Sequence, residues 1–159
     1  MFTFCAERPM RVLVVDDSIT IRAIMERIID NERDMRLVGA TSCAVEAQDF
    51  LEHHRPDVMT LDVEMPGMNG LDFLTAVLAC RKLPVIMVSS HTARGADVRA
   101  RAFALGASAC FDKANLMKDA GRFAAMVRKV GAGKTCRDKP VSYFSNTSSS
   151  AIDGCSATV

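Results

Sequence analysis

The sequence predicts an α/β fold, a doubly wound parallel sheet of five strands flanked by five helices. Two observations predict it. Short apolar runs alternate with longer amphipathic stretches five times along the chain. Three of the runs are apolar but for Thr60 in the third, as strands buried on both faces of a parallel sheet are.

Val12 to Val15 is the first such run, and it ends at Asp16 and Asp17. Ile21, Ile24, Met25, Ile28 and Ile29 then recur at helical spacing, with Ser18 placed to cap the start. Met35 to Ala40 is a weaker strand, suited to a place near an edge. Val45, Ala47, Phe50 and Leu51 share one helical face, and Pro56 breaks that helix. Val58 to Leu61 is a third strand and ends at Asp62. Leu71, Phe73, Leu74, Val77 and Leu78 mark the next helix. A fourth strand, Val85 to Val88, ends at Ser89 and Ser90. Asp97 to Leu105 reads as a helix stopped by Gly106. Ala109 to Asp112 is a short fifth strand before Lys113, and Phe123, Met126, Val127 and Val130 mark the last helix.

One domain, residues 10–130, accounts for all of this. The nine residues before Met10 add nothing this fold needs and read as an N-terminal extension. Residues 131–159 become small and polar, with runs such as Ser148 to Ser150, and read as a disordered tail. Net charge is +1, so the overall balance calls for neither nucleic acid nor an acidic surface. No apolar run is long enough to insert in a membrane, and the first residues do not form a secretory signal. The six cysteines form no Cys-x-x-Cys pair and have no histidine at metal-finger spacing. Scattered thiols without an export signal suggest a cytoplasmic location, with Cys43, Cys80 and Cys110 read as small core hydrophobes.

Open α/β sheets bind ligands beyond the carboxyl ends of their strands. That rule places Asp16, Asp17, Asp62, Ser89 and Lys113 along one rim. Clustered carboxylates repel one another unless a cation offsets them. Magnesium suits such a set, because it takes hard oxygen ligands and keeps water or phosphate in the remaining positions. Phosphoryl transfer needs positioned cations and donors around the phosphoryl oxygens, and a carboxylate can serve as the nucleophile. Singly, the acidic pair reads as a helix cap, Ser89 as a turn residue and Lys113 as a surface charge. Their joint placement is what points to chemistry.

Val-Leu-Val-Val-Asp-Asp-Ser at 12–18, Leu-Asp-Val-Glu-Met-Pro-Gly-Met-Asn-Gly at 61–70, Pro-Val-Ile-Met-Val-Ser-Ser at 84–90, and Gly106-Ala107 followed by Lys113 together resemble response-regulator receiver domains. The likeness runs from about Met10 to about Val130. It points to chemotaxis regulators, either the CheY type or the receiver half of a CheB-type methylesterase. The resemblance implies a flavodoxin-like sheet in strand order 2-1-3-4-5. It implies Asp62 as phosphoacceptor, with Mg²⁺ (or Mn²⁺) held by Asp16, Asp17, Asp62 and the backbone carbonyl of Glu64. Ser89 and Lys113 are then the residues that bind the phosphoryl group and drive the switch. The side chains of Glu64 and His91 stand where the family tunes phosphoryl loss, although simple solvent exposure explains them nearly as well. The implied partner is a histidine kinase or its histidine-phosphotransfer domain, of the CheA kind, with the downstream target open. The implied chain is a signalling switch that catalyses only its own phosphorylation and dephosphorylation, not an enzyme with a separate substrate.

Two departures stand out. Ala114 replaces the family's proline after the lysine, and a cis bond to a non-proline residue costs roughly 3 kcal/mol. That loop therefore either runs trans or stores strain. Cys110 occupies the place of the aromatic switch residue, with Phe111 beside it as a substitute only through a shifted register. Arg94, Arg99 and Arg101 fall on the family's usual output face. An alternative from another class is a small Mg²⁺-dependent phosphatase of the haloacid dehalogenase type, but that family wants Asp-x-Asp after its first strand. A dinucleotide site is poor, since Asp16-Asp17-Ser18 replaces the glycine-rich turn.

Overall fold

The computed structural model describes residues 8–90 and 95–133. Residues 1–7, most of the expected tail, and the positions of His91 and Arg94 lie outside the described residues. Along the chain run β1 (Met10–Val15), α1 (Ile19–Asp30), β2 (Met35–Thr41), α2 (Ala44–His53), β3 (Val58–Asp62), α3 (Gly70–Cys80), β4 (Val85–Ser89), α4 (Gly95–Leu105), β5 (Ala109–Asp112) and α5 (Ala120–Gly131). A single 3₁₀ turn, Lys113–Asn115, follows β5.

All strand pairs are parallel, and the order is β2-β1-β3-β4-β5. The three most apolar runs, β1, β3 and β4, are the three interior strands, with Thr60 of β3 buried among them. Their residues Val12 to Val15, Val58, Met59, Leu61 and Val85 to Val88 are all essentially buried. β2 lies at an edge, and its partial exposure, with Arg36 and Ala40 exposed and Leu37 to Gly39 half-buried, fits that place.

Alternation along the strands sends side chains into two cores. Val12, Val14, Val58, Ile86, Val88 and Phe111 meet α1 and α5, around Met25, Ile29, Phe123 and Val127. Leu13, Val15, Met59, Leu61, Val85 and Met87 meet α2, α3 and α4, around Leu51, Leu74, Val77 and Ala102. Phe111 and Phe123 pack edge to face at 5.2 Å and 69°, a contact worth about 1 kcal/mol beyond the area it buries. Gly106, at φ 108°, ends α4 in a conformation that favours glycine.

Some expectations need correction. Cys80 is exposed at the end of α3, and Cys43 and Cys110 are only half-buried, so none is a full core residue. The expected extension also does something for the fold: Arg8 forks onto Asp57 (Nη2 to Oδ1, 2.8 Å; Nη1 to Oδ2, 3.0 Å). Asp57 Oδ2 also accepts from the Arg11 amide at 2.8 Å, which ties the arm to the turn before β3.

A second clamp joins the two ends of the first core. Arg128 of α5 donates to Glu32 at 2.7 Å and to Asp34 Oδ1 at 2.9 Å, in the turn before β2. The Arg128 hydrogen bond holds the Asp34 carboxyl below its ordinary value. An acid with a lowered native pKa stabilises the fold above its unfolded value of 3.8 and loses that contribution as pH falls through the native one. Arg128→Met is expected to cost about 1 kcal/mol at neutral pH, because the groups are partly exposed. The cost should shrink below pH 3.8, read as the difference between urea midpoints of the two proteins across that range.

Candidate functional site

The rim at the carboxyl ends of the strands is built by one device used three times. Asp16 Oδ1 accepts from the Ser18 amide at 2.9 Å, Asp62 Oδ1 from the Glu64 amide at 3.0 Å, and Asp112 Oδ1 from the Ala114 amide at 2.9 Å. Each aspartate, at or just past a strand end, thus turns the chain with one oxygen, as aspartates do where an extended segment must bend. After β1, Ser18 caps α1 by accepting from the Ile21 amide at 3.4 Å. After β3, Asn69 caps α3 by accepting from the Leu71 amide at 2.8 Å.

The second oxygens of Asp16 and Asp62 face each other across the lysine. Lys113 Nζ lies 2.8 Å from Asp16 Oδ2 and 2.8 Å from Asp62 Oδ2. Both carboxylates are almost fully buried, at 0% and 1% exposed. The approach is ionic in its angles, because neither Oδ2 has a hydrogen-bond partner. Asp17 is exposed beside them, and one carboxylate oxygen from each of Asp16, Asp17 and Asp62 lies within 4.8 Å of the others.

Burial pushes the Asp62 carboxyl up, and the Asp16 charge adds to it. Lys113 and the Glu64 amide work against that, and the carboxyl stands at about 6. Burial alone would pull the Lys113 ammonium down, but the Asp16 and Asp62 carboxylates outweigh it and raise its pKa. Three carboxylates against one ammonium leave two negative charges, with the Asp16 and Asp62 carboxylates shut off from solvent. A divalent cation with hard oxygen ligands fits that balance and the buried oxygens without hydrogen-bond partners.

Ser89 ends β4, half-buried, one residue beyond Val88, which pairs with Asp62 in the sheet. It is thus on the strand next to the cluster. The Glu64 side chain is exposed, and its amide is what holds Asp62. His91 lies outside the described residues. The Lys113–Ala114 peptide is trans, since no cis bond occurs among the described residues. Its amide explains the path: Ala114 N–H is the donor to Asp112 in the 3₁₀ turn, a bond proline could not make.

β5 keeps the unshifted register, with Cys110 opposite Met87 and Phe111 opposite Val88. The two side chains therefore point to opposite faces. Phe111 is 5% exposed in the α1–α5 core against Phe123, so it does not stand in for Cys110. Cys110 packs at the margin of the α2–α3–α4 core, and burial pushes its thiol up to about 11. Of the basic residues of α4, Arg101 is exposed and Arg99 half-buried.

Two contributors are not identified from sequence. Gly70 opens α3 directly against the acceptor: a methyl group there would overlap the Asp62 backbone carbonyl, and the Gly70 amide donates to Val63 O at 2.9 Å. A glycine closing the 61–70 motif is the signal that could have found it. Arg22 donates to the Asp16 backbone carbonyl at 2.7 Å. The signal there is a lone basic residue one turn after the Ser18 cap, between apolar Ile21 and Ile24.

Comparison with known proteins agrees with this geometry. Residues 12–120 match the family model described as the response regulator receiver domain. Over 105 residues the chain is 45% identical to protein-glutamate methylesterase/protein-glutamine glutaminase 1 of Rhizobium johnstonii, which covers 66% of this chain and 30% of that protein. Over 99 residues it is 48% identical to the corresponding protein 2 of Pseudomonas aeruginosa, covering 62% and 28%. The chain thus spans under a third of the length of these curated relatives. Among solved structures, the response regulator domain of Thermotoga maritima CheB superposes with a TM-score of 0.73 at 34% identity, covering 79% of this chain and 98% of that one. A chain from the R. sphaeroides complex of the CheA3 P1 domain with CheY6 gives 0.67 at 30% identity, covering 79% and 98%. With its strand order, its rim of acids and its lysine on that rim, the chain belongs to the response-regulator receiver domain family.

Proposed function

We propose that this chain is a phosphoacceptor switch of chemotaxis-type two-component signalling, which takes a phosphoryl group onto Asp62. The observation that carries the reading is the Lys113 ammonium, 2.8 Å from both buried carboxylates, Asp16 and Asp62. The donor is a phosphohistidine on a histidine kinase or its phosphotransfer domain, a pairing supported by the CheA3 P1 complex of the related CheY6. An Asp62 carboxylate oxygen bonds to phosphorus, the phosphorus–nitrogen bond breaks, and the histidine nitrogen leaves with that electron pair.

Asp16, Asp17, Asp62 and the backbone carbonyl of Glu64 would hold Mg²⁺, as the three clustered carboxylates suit. The ion supplies charge neutralisation for the phosphoryl oxygens. Lys113 supplies a second cation, and the Ser89 hydroxyl supplies a donor from the next strand. The charge gained, about −2, biases Ser89 and the β4–α4 region toward a second arrangement, and that change is read by a partner. Cys110 in the aromatic place means that this readout runs without a large ring as rotor. Glu64 and His91 set how long the phosphoryl group lasts.

A second reading concerns the whole protein rather than the site. The methylesterase relatives are more than three times the length this chain matches, at 30% and 28% coverage. That favours a receiver which in its full setting controls a CheB-type methylesterase. Among the described residues no helix is long and apolar enough to cross a membrane. A cytoplasmic place, beside the kinase, agrees with the scattered thiols.

Incubation with an acyl phosphate and Mg²⁺, followed by intact mass measurement, tests the function. The expected product carries one labile phosphoryl group, and Asp62→Asn gains none. Many turnovers of added phosphate monoesters, with no modified chain, would instead indicate a phosphatase.

A further inference from the structure

Three of the four polar atoms of Asp16 are fixed by partners outside the cation cluster. Its amide donates to Thr41 O at 3.1 Å, continuing the β1–β2 ladder past the end of β1. Its Oδ1 accepts from the Ser18 amide at 2.9 Å. Its carbonyl accepts from Arg22 Nη1 at 2.7 Å. Only Oδ2 is left to face the site. The carbonyl that Arg22 holds belongs to the peptide joining Asp16 to Asp17. Turning that peptide would turn both acids at once, one buried and one exposed.

We propose that Arg22 is a positioning residue for the acid cluster, holding the Asp16–Asp17 peptide in the orientation that lets both carboxylates meet one divalent cation. The inference rests on the reading that Asp16, Asp17 and Asp62 bind Mg²⁺. Arg22 is half-buried near the start of α1, a helix packed into the first core by Met25 and Ile29. It also lies near enough to Glu46, at the start of α2, for its charge to be felt there. Glu46 in turn accepts from the Ser42 amide at 2.8 Å and the Ser42 hydroxyl at 3.0 Å. Arg22 thus grips the loop that carries the acids from its place on α1, with the Glu46 charge nearby.

Charge and position make opposite predictions here. Arg22 is a cation close to a cation site. By charge alone, its removal makes the site more negative and tightens Mg²⁺. By position, its removal frees the peptide and weakens Mg²⁺. Residues that orient metal ligands through hydrogen bonds typically change affinity by about 10- to 100-fold when lost.

The experiment is calorimetric titration of Mg²⁺ into the full chain, its Arg22→Met variant and its Arg22→Lys variant, well below their melting temperatures. The methionine variant is expected to bind about tenfold more weakly, with part of the loss recovered by lysine. In the metal-free protein, the Ser18 amide should exchange with solvent faster in the methionine variant, since its acceptor on Asp16 is no longer steadied. A folded methionine variant with equal or tighter Mg²⁺ binding overturns the proposal. If that variant does not fold, the lysine variant decides: weaker binding supports the guanidinium's role, and wild-type affinity overturns it. A wild-type chain that takes up no Mg²⁺ overturns the metal site itself, and this inference with it.

Discussion

Gly70→Ala should unfold or distort the site more than the same change at any other described glycine. The added carbon would overlap the Asp62 backbone carbonyl and crowd Val63, and both are backbone, with no flexible side-chain end to move aside. Overpacking of this kind costs about 3 kcal/mol. Relief has two routes, and each harms function. α3 can move away, which uncovers Leu71, Phe73 and Leu74 from the second core. Alternatively the end of β3 can move, which carries Asp62 away from Lys113. A misplacement of about 1 Å at a reacting group can cost about 100-fold in rate. The expected result is a lower urea midpoint together with a large loss of phosphorylation rate. Wild-type stability and rate in the alanine variant would mean that the close approach of α3 to the acceptor is not real.

Lys113→Met should have the second largest effect, and its size depends on pH and metal. Removing one partner of a buried ion pair costs about 3–5 kcal/mol, because the other charge is left without compensation. Here two carboxylates, Asp16 and Asp62, lose the same ammonium. Asp62 already binds its proton more tightly in the fold than the ordinary 3.8, at about 6. An acid whose native pKa is raised is most favourable to folding below its unfolded value, and that advantage is lost as pH rises through the native one. For Asp62 the window runs from about 4 to about 6, and the loss across it is roughly 3 kcal/mol for the wild type. The methionine variant should lose more over the same climb, because only the Glu64 amide then opposes burial and the Asp16 charge. Mg²⁺ should return part of the deficit, as any ligand of the native state does. Denaturation curves at pH 4.5 and 7.5, with and without Mg²⁺, measure all three effects. Equal stability of the two proteins at pH 7.5 without metal would show that the ammonium does not hold the acids together.

The strands and their ends were legible in the sequence for a simple reason. Interior parallel strands must be apolar on both faces, so Val12 to Val15, Val58 to Leu61 and Val85 to Val88 announce themselves. The polar residue after each run marks the rim, and hence Asp16, Asp62 and Ser89. Lys113 could be placed on that rim in the same way, but its reach to two acids from distant parts of the chain is a product of packing. Cys110 and Phe111 show how a one-residue question is settled by the pleat. Only the register of β5 on β4 decides which side chain faces Phe123. Cys80 misled because cysteine commonly packs as a small core hydrophobe, yet here it is the last residue of α3 and is exposed. Arg8 and Arg22 escaped because a long flexible cation gives no periodic signal. Its partner, a carboxylate 49 residues away for Arg8 or a backbone carbonyl for Arg22, is chosen by the fold.

A rim of buried acids, offset by cations, makes one carboxylate competent to hold phosphate: that is the central claim. Its most direct test is site mapping of the phosphorylated chain, prepared from an acyl phosphate with Mg²⁺ or with a chelator and trapped by hydride reduction. The predicted result is modification confined to the peptide containing Asp62, and only in the sample with metal. Modification at another residue, or equal incorporation in the presence of chelator, would contradict it.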